Sequence, residues 1–100
     1  YNIAAELGRT YALEGDKFRD PEPPKAALLY EKAVVNYNKA LTAIDAPDNT
    51  ETDKPKKKAE LLRSLAVAQN AQGRASESID LLKKSVETYN KYLAIAKPLN

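Results

Sequence analysis

The chain of 100 residues contains no His and no Cys. Ser–His and Cys–His nucleophile pairs therefore cannot be assembled from it, and the commonest general base and transition-metal ligands are missing. Carboxylates are the remaining candidates for chemistry. Asp16, Asp20 and Glu22 lie close enough in sequence to converge, but Lys17, Arg19, Lys25 and three prolines are interspersed with them. That mixture reads as a solvated turn, and it lacks the alternate spacing and Gly of a calcium loop. Gly8, Gly15 and Gly73 stand singly, so no phosphate-cradling loop is present. We expect no enzymatic activity, no metal site and no cofactor.

The most conspicuous charge cluster is Lys54-Pro55-Lys56-Lys57-Lys58. At a helix N-terminus such a run opposes the macrodipole at a cost of about 0.3 kcal/mol or more per charge. Binding of an acidic surface is one reading. The simpler reading is a solvated linker partly neutralised by Asp48, Glu51 and Asp53. No aromatic residue lies among these lysines to stack on a base, which argues against nucleic acid as a partner.

These groups must be carried by helices. Sixteen Ala and twelve Leu favour helix, and no segment sustains period-two alternation. The first helix is expected from about Asn2 to Glu14, with Gly15 in the turn and a loop over Asp16 to Pro23. The second begins at Pro24 and runs to about Ala46, the third from Pro55 to about Gln72 with Gly73 terminating it, and the fourth from Ala75 or Ser76 to just before Pro98. Apolar residues step by three and four along each: Ala4, Leu7, Tyr11; Tyr30, Ala33, Tyr37, Ala40, Ile44; Leu61, Leu65, Ala68; and Ile79, Leu82, Val86, Tyr89, Leu93, Ala96. Tyr11, Tyr30, Tyr37 and Tyr89 thus fall on stripes expected to be buried, while Phe18 is expected to staple its loop onto the first hairpin.

The fold class is all-α, one domain over 1–100: a first hairpin over 1–47, a linker over 48–54 and a second hairpin over 55–98. Net charge is +2, divided as −4 over residues 1–53 and +6 over residues 54–100. An acidic half beside a basic half suits attraction between packed units or head-to-tail assembly. No apolar run is long enough for a bilayer, so membrane insertion is not expected, and no signal peptide is visible. A soluble intracellular or organellar compartment is favoured. The chain has no Met, and we expect it to be a portion of a longer protein.

The sequence also repeats itself. At an offset of 58, Ala4 aligns with Leu62, Leu7 with Leu65, Gly8 with Ala66 and Gly15 with Gly73. For the longer helices two offsets compete. An offset of 45 pairs Ala33, Tyr37 and Ala40 with Ser78, Leu82 and Ser85, whereas 52 pairs Tyr37-Asn38-Lys39 with Tyr89-Asn90-Lys91. They differ by two helical turns and preserve the same face, so the register stays open.

Leu7-Gly8-x-x-Tyr11, Gly15-Asp16 and Ala33-x-x-x-Tyr37-x-x-Ala40 resemble the tetratricopeptide (TPR) repeat, with a second, weaker copy at Leu62, Leu65, Ala66, Gly73, Ser78, Leu82 and Ser85. The resemblance implies a right-handed superhelical stack of two antiparallel hairpins; a plain four-helix bundle is the alternative. Ala4 stands where the family has a large residue, and both second helices run long. The resemblance further implies a protein-interaction module or adaptor that holds a peptide or helix of another protein in a groove. Its groove positions fall on Asn2, Ala5, Arg9, Ala12 and Leu13, then on Glu60, Arg63, Val67, Asn70 and Ala71. The Lys and Asn clamp of one TPR subgroup is not reproduced, since Ala5, Arg9 and Ser64 hold its positions.

Fewer than about three such repeats rarely stand alone, and the fourth helix keeps its stripe as far as Leu93, Ile95 and Ala96. The alternative function is therefore a structural four-helix segment that self-associates through the fourth helix, with Leu93 and Ile95 as the assembly surface, or continues into a larger helical solenoid.

Overall fold

Helix formers spaced by three and four give four helices in the computed structural model, which describes residues 1–46 and 53–99. They are α1 (Asn2–Phe18), α2 (Pro23–Ile44), α3 (Lys54–Ser76) and α4 (Ile79–Leu99). No strand occurs among the described residues. Most of the expected linker, with Asp48 and Glu51, lies outside them; Lys54 already begins α3.

Both glycines expected in turns lie inside helices. α1 continues through Gly15 to Phe18, and α3 through Gly73 to Ser76. Each Gly is buried because a neighbouring helix approaches it. A Cβ on Gly15 would lie 2.8 Å from Cε1 of Tyr30, and one on Gly73 would lie 2.9 Å from Cδ2 of Leu82. Helix α3 ends instead at Glu77, which adopts the left-handed conformation (φ 56°) and directs its N–H to the carbonyls of Arg74 and Gly73. Ser78 then caps α4, its Oγ accepting from the Leu81 N–H at 3.3 Å. This cap delays α4 to Ile79. Pro98 sits in the last turn of α4 rather than beyond it, where few backbone bonds remain to be lost.

Pro23 and Pro24 occupy the first positions of α2, where a missing N–H costs nothing. Phe18 is half-buried, and the Lys25 ammonium lies 3.9 Å from its ring centre. The expected staple is thus a cation–π contact across the α1–α2 turn.

The helices pack in chain order: α1 on α2, α2 on α3, α3 on α4, with only a marginal meeting of α1 and α3. Among the described residues α4 touches neither α1 nor α2. A closed four-helix bundle would bring α1 against α4, so the architecture is two hairpins joined as an open row, extended along one axis (41 × 25 × 19 Å).

The core follows from that order. Helix α2 has neighbours on two sides, and Ala26, Tyr30, Ala33, Tyr37, Ala40 and Ile44 are all buried. Leu61, Leu65 and Ala68 of α3 join the last four of these in one cluster. The outer helices have one neighbour each, and their stripes are incompletely covered. Leu7, Ile79, Val86 and Tyr89, expected in the core, are exposed.

The register left open by the sequence is resolved by the glycines. Gly8 faces Tyr37 and Gly15 faces Tyr30, whereas Gly73, the counterpart of Gly15, faces Leu82. Leu82 therefore corresponds to Tyr30, not Tyr37, which is the offset of 52. Facing residues on α1 and α2 run in opposite directions with a shared seven-residue spacing, as antiparallel helices require.

Candidate functional site

The candidate site is built on α1 and α3, which the intervening α2 holds side by side. Asn2, Ala5 and Arg9 recur at steps of three and four along α1, so they share one face. Glu60 and Ser64 do the same on α3. The two sets line a single cavity of about 430 Å³, together with Glu6 and Lys57 at its rim and Tyr37 of α2 at its back. Ala5, Arg9 and Ser64, the positions matched to the TPR clamp, are thus in one place without the clamp's Lys or Asn.

Tyr37 gives the cavity its polar centre. Gly8 leaves room for the ring against α1, and Ser64 of α3 lines the same cavity. Burial holds its pKa above the usual tyrosine value, opposed by a hydrogen bond with Ser64 and by the charge of Arg9, while Glu6 raises it further. The phenol is therefore neutral at physiological pH and acts as a hydrogen-bonding group, with a cationic and an anionic side chain on α1 nearby. Such a set can hold a polar or charged peptide group; it has no nucleophile–base pair.

The other expected groove residues are not in this cavity. Arg63 lies with Glu60, Lys56, Tyr92 and Ala96 at the far side of the α3 N-terminal turns. Val67 and Asn70 lie with Val86 and Tyr89 between α3 and α4. Leu13 is exposed on α1 and lines none of these three. Expecting one groove over both repeats assumes α3 presents a single face. In fact Ser64 lines the cavity against α1 alone, Glu60 lines both that cavity and the one beside Tyr92 and Ala96, and Arg63, Val67 and Asn70 line cavities towards α4.

Leu93 and Ile95, the expected assembly surface, are half-buried. Among the described residues, the exposed large apolar side chains of α4 are Ile79, Val86 and Tyr89. Of the lysine run, Lys58 pairs with Asp45 at 3.1 Å, tying the start of α3 to the end of α2; an exposed pair of this kind adds about 1 kcal/mol at most. Glu6 and Tyr37 were not among the expected groove residues. Glu6 could have been found as the residue four after Asn2, but Tyr37 becomes a groove residue only because Gly8 lets it through.

No cluster of His, Cys, Asp or Glu suited to a metal occurs among the described residues, and no helix there is long and apolar enough to cross a membrane. No protein-family model, curated protein or solved structure matches the chain.

Proposed function

We propose that the chain is a TPR-like protein-interaction module whose α1/α3 cavity holds a peptide segment of another protein. The observation that carries this reading is the convergence of Asn2, Ala5, Arg9, Glu60 and Ser64 on one concavity. They come from two helices 58 residues apart in the repeat alignment that barely touch each other. Arg9 and Lys57 would meet acidic groups of the peptide, Glu6 and Glu60 basic ones, and the Tyr37–Ser64 pair its backbone. Binding would do no chemistry on the peptide.

A displayed library of random 12-residue peptides, selected on the immobilised chain, tests this. Selected peptides should lose at least about tenfold in affinity against Arg9→Glu or Ser64→Trp, within the usual range for a central interface residue. Arg63→Glu, outside the cavity, should leave them unchanged. Failure to select any peptide, or selected peptides indifferent to Arg9 and Ser64, would overturn the reading. The alternative, a structural element that self-associates or continues into a larger solenoid, is favoured by a different observation: the uncovered apolar residues Val67, Val86 and Tyr89.

A further inference from the structure

The internal repeat relates each hairpin to the other, and it also says what the outer faces of the row are shaped to meet. Residues of α1 correspond to those of α3 at 58 positions later, and residues of α2 to those of α4 at 52. Within the chain, α3 docks on the first hairpin through Leu61 and Leu65, which pack in the cluster that Tyr37 joins and Ala12 and Val34 flank. Transposed by one hairpin, Leu61 and Leu65 become Ile3 and Leu7 of α1. Ala12, Val34 and Tyr37 become Asn70, Val86 and Tyr89.

Four of the five members of this transposed set, Ile3, Leu7, Val86 and Tyr89, are exposed where their counterparts are buried or half-buried, while Asn70 is half-buried like Ala12. Leu61 is 6% exposed and Ile3 80%; Leu65 is 4% and Leu7 43%; Tyr37 is 6% and Tyr89 47%. Asn70, Val86 and Tyr89 moreover line one groove with Ala66 and Val67, about 320 Å³ in volume. It is the second hairpin's version of the place that α3 fills on the first. Such apolar surfaces mark interaction sites when they are contiguous.

We propose that a second copy of this chain docks head to tail, Ile3 and Leu7 of its α1 entering the groove formed by Val67, Val86 and Tyr89.

The charges support a second copy rather than an unrelated occupant. Glu31 and Gln72 line one cavity at the α2–α3 junction, and so do Leu28 and Ala75. Their counterparts in the intermolecular junction are Lys83 with Glu14, and Asp80 with Lys17, a set that permits two pairs of opposite sign; Glu77 of the same cavity becomes Arg19, and Glu14 and Lys17 also pair within one copy at 3.6 Å. Ser64, which lines one cavity with Tyr37, is replaced by Glu6, whose carboxylate can accept from the Tyr89 hydroxyl. One departure is Tyr92, which stands where α2 has Ala40: its ring lies 5.4 Å from that of Tyr89, at the edge of the groove, and the residue also lines the cavity with Ala59 and Arg63. The interface is heterologous, so the two surfaces differ and each docked copy keeps its other surface free for the next. It shares no residue with the peptide proposal except Glu6, and does not depend on it.

Sedimentation of the 100-residue chain tests the proposal. The chain should associate with concentration dependence, and association should weaken by at least about tenfold in Ile3→Glu and, separately, in Val67→Glu/Val86→Glu. All three residues are exposed, so circular dichroism should remain that of the parent. Mixing the two variants should restore a 1:1 pair that grows no further, because each retains the face the other lacks. As an independent arm, Glu14→Lys should weaken association at low salt and Glu14→Lys/Lys83→Glu should recover it. A chain monomeric at millimolar concentration would overturn the proposal, as it would if a further repeat of a longer chain were the true occupant. Assembly that survives either apolar variant, or variants that fail to pair, would overturn it too.

Discussion

The ring of Tyr37 occupies the space in which Gly8 would otherwise carry a side chain: a Cβ at Gly8 would lie 2.8 Å from Cδ1 of the ring. Gly15 and Tyr30 repeat the relationship one heptad away, again at 2.8 Å. These two pairs set the distance between α1 and α2. A glycine inside a helix is normally worse than alanine by about 1 kcal/mol, so both positions retain a residue that helix propensity alone would disfavour.

Gly8→Ala and Gly15→Ala should accordingly destabilise the chain, against the propensity trend. Forcing a methyl into a closed contact costs about 1–3 kcal/mol, which outweighs the propensity gain because both rings are buried. Urea unfolding of each variant measures this. Gly8→Ala combined with Tyr37→Leu should lose less than the sum of the two single changes, since the smaller side chain removes the collision.

Stability should fall in alkali between about pH 10 and 12. The Tyr30 hydroxyl donates to Asp16 Oδ1 at 2.6 Å, and burial together with that bond pushes its pKa up to about 12 from 10. In that window the unfolded phenol is ionised while the folded one keeps its proton. The stabilisation is therefore complete below pH 10 and is lost as pH rises through the folded value, by up to about 1.4 kcal/mol per pH unit. Tyr37 is shifted in the same direction and adds to the loss. Chemical denaturation at pH 9, 10 and 11 should show the decline, with a shallower slope in Tyr30→Phe.

Glu77→Gly should raise the melting temperature. Glu77 ends α3 at φ 56°, a conformation that costs a residue with a Cβ about 1 kcal/mol and glycine almost nothing. Glu77 is exposed, so no packing is lost with its side chain. A gain of about 0.5–1 kcal/mol is expected from calorimetry, with no change in helix content.

Thr88 and Gln69 form the buried polar contact between α3 and α4. The Thr88 hydroxyl donates to Gln69 Oε1 at 2.6 Å, and both residues are buried. Thr88→Val should cost about 1–3 kcal/mol by stranding the amide oxygen. Thr88→Val/Gln69→Leu should recover most of that loss, which a double-mutant cycle in urea would register.

How far all this was legible depends on the residue. The buried stripe of α2 follows from the spacing of Tyr30, Ala33, Tyr37, Ala40 and Ile44, because a helix with two neighbours buries a regular face. The glycines misled: a Gly that ends a helix and a Gly that admits a neighbour's side chain are the same letter. The difference lies in partners 15 positions (Tyr30) and nine positions (Leu82) further along the chain. Part of the candidate groove was legible, since Asn2, Ala5, Arg9 and Glu60 line one cavity. The remainder was not, because the rotation of α3 about its axis decides whether Arg63, Val67 and Asn70 face α1 or α4, and only packing sets that rotation. On α4 the periodic stripe was correctly seen as helical but not as uncovered; periodicity reports which residues share a face, not whether a neighbour covers it.

The row-like order of packing has a kinetic consequence. Each helix meets chiefly the ones before and after it in the chain, so the loops to be closed are short and the contact order is low, the regime of fast folders. Either hairpin can then nucleate without waiting for the other, and the α2–α3 junction, with Ile44 and Leu61 at its centre, becomes the seam along which two separately opening units are joined into one cooperative transition.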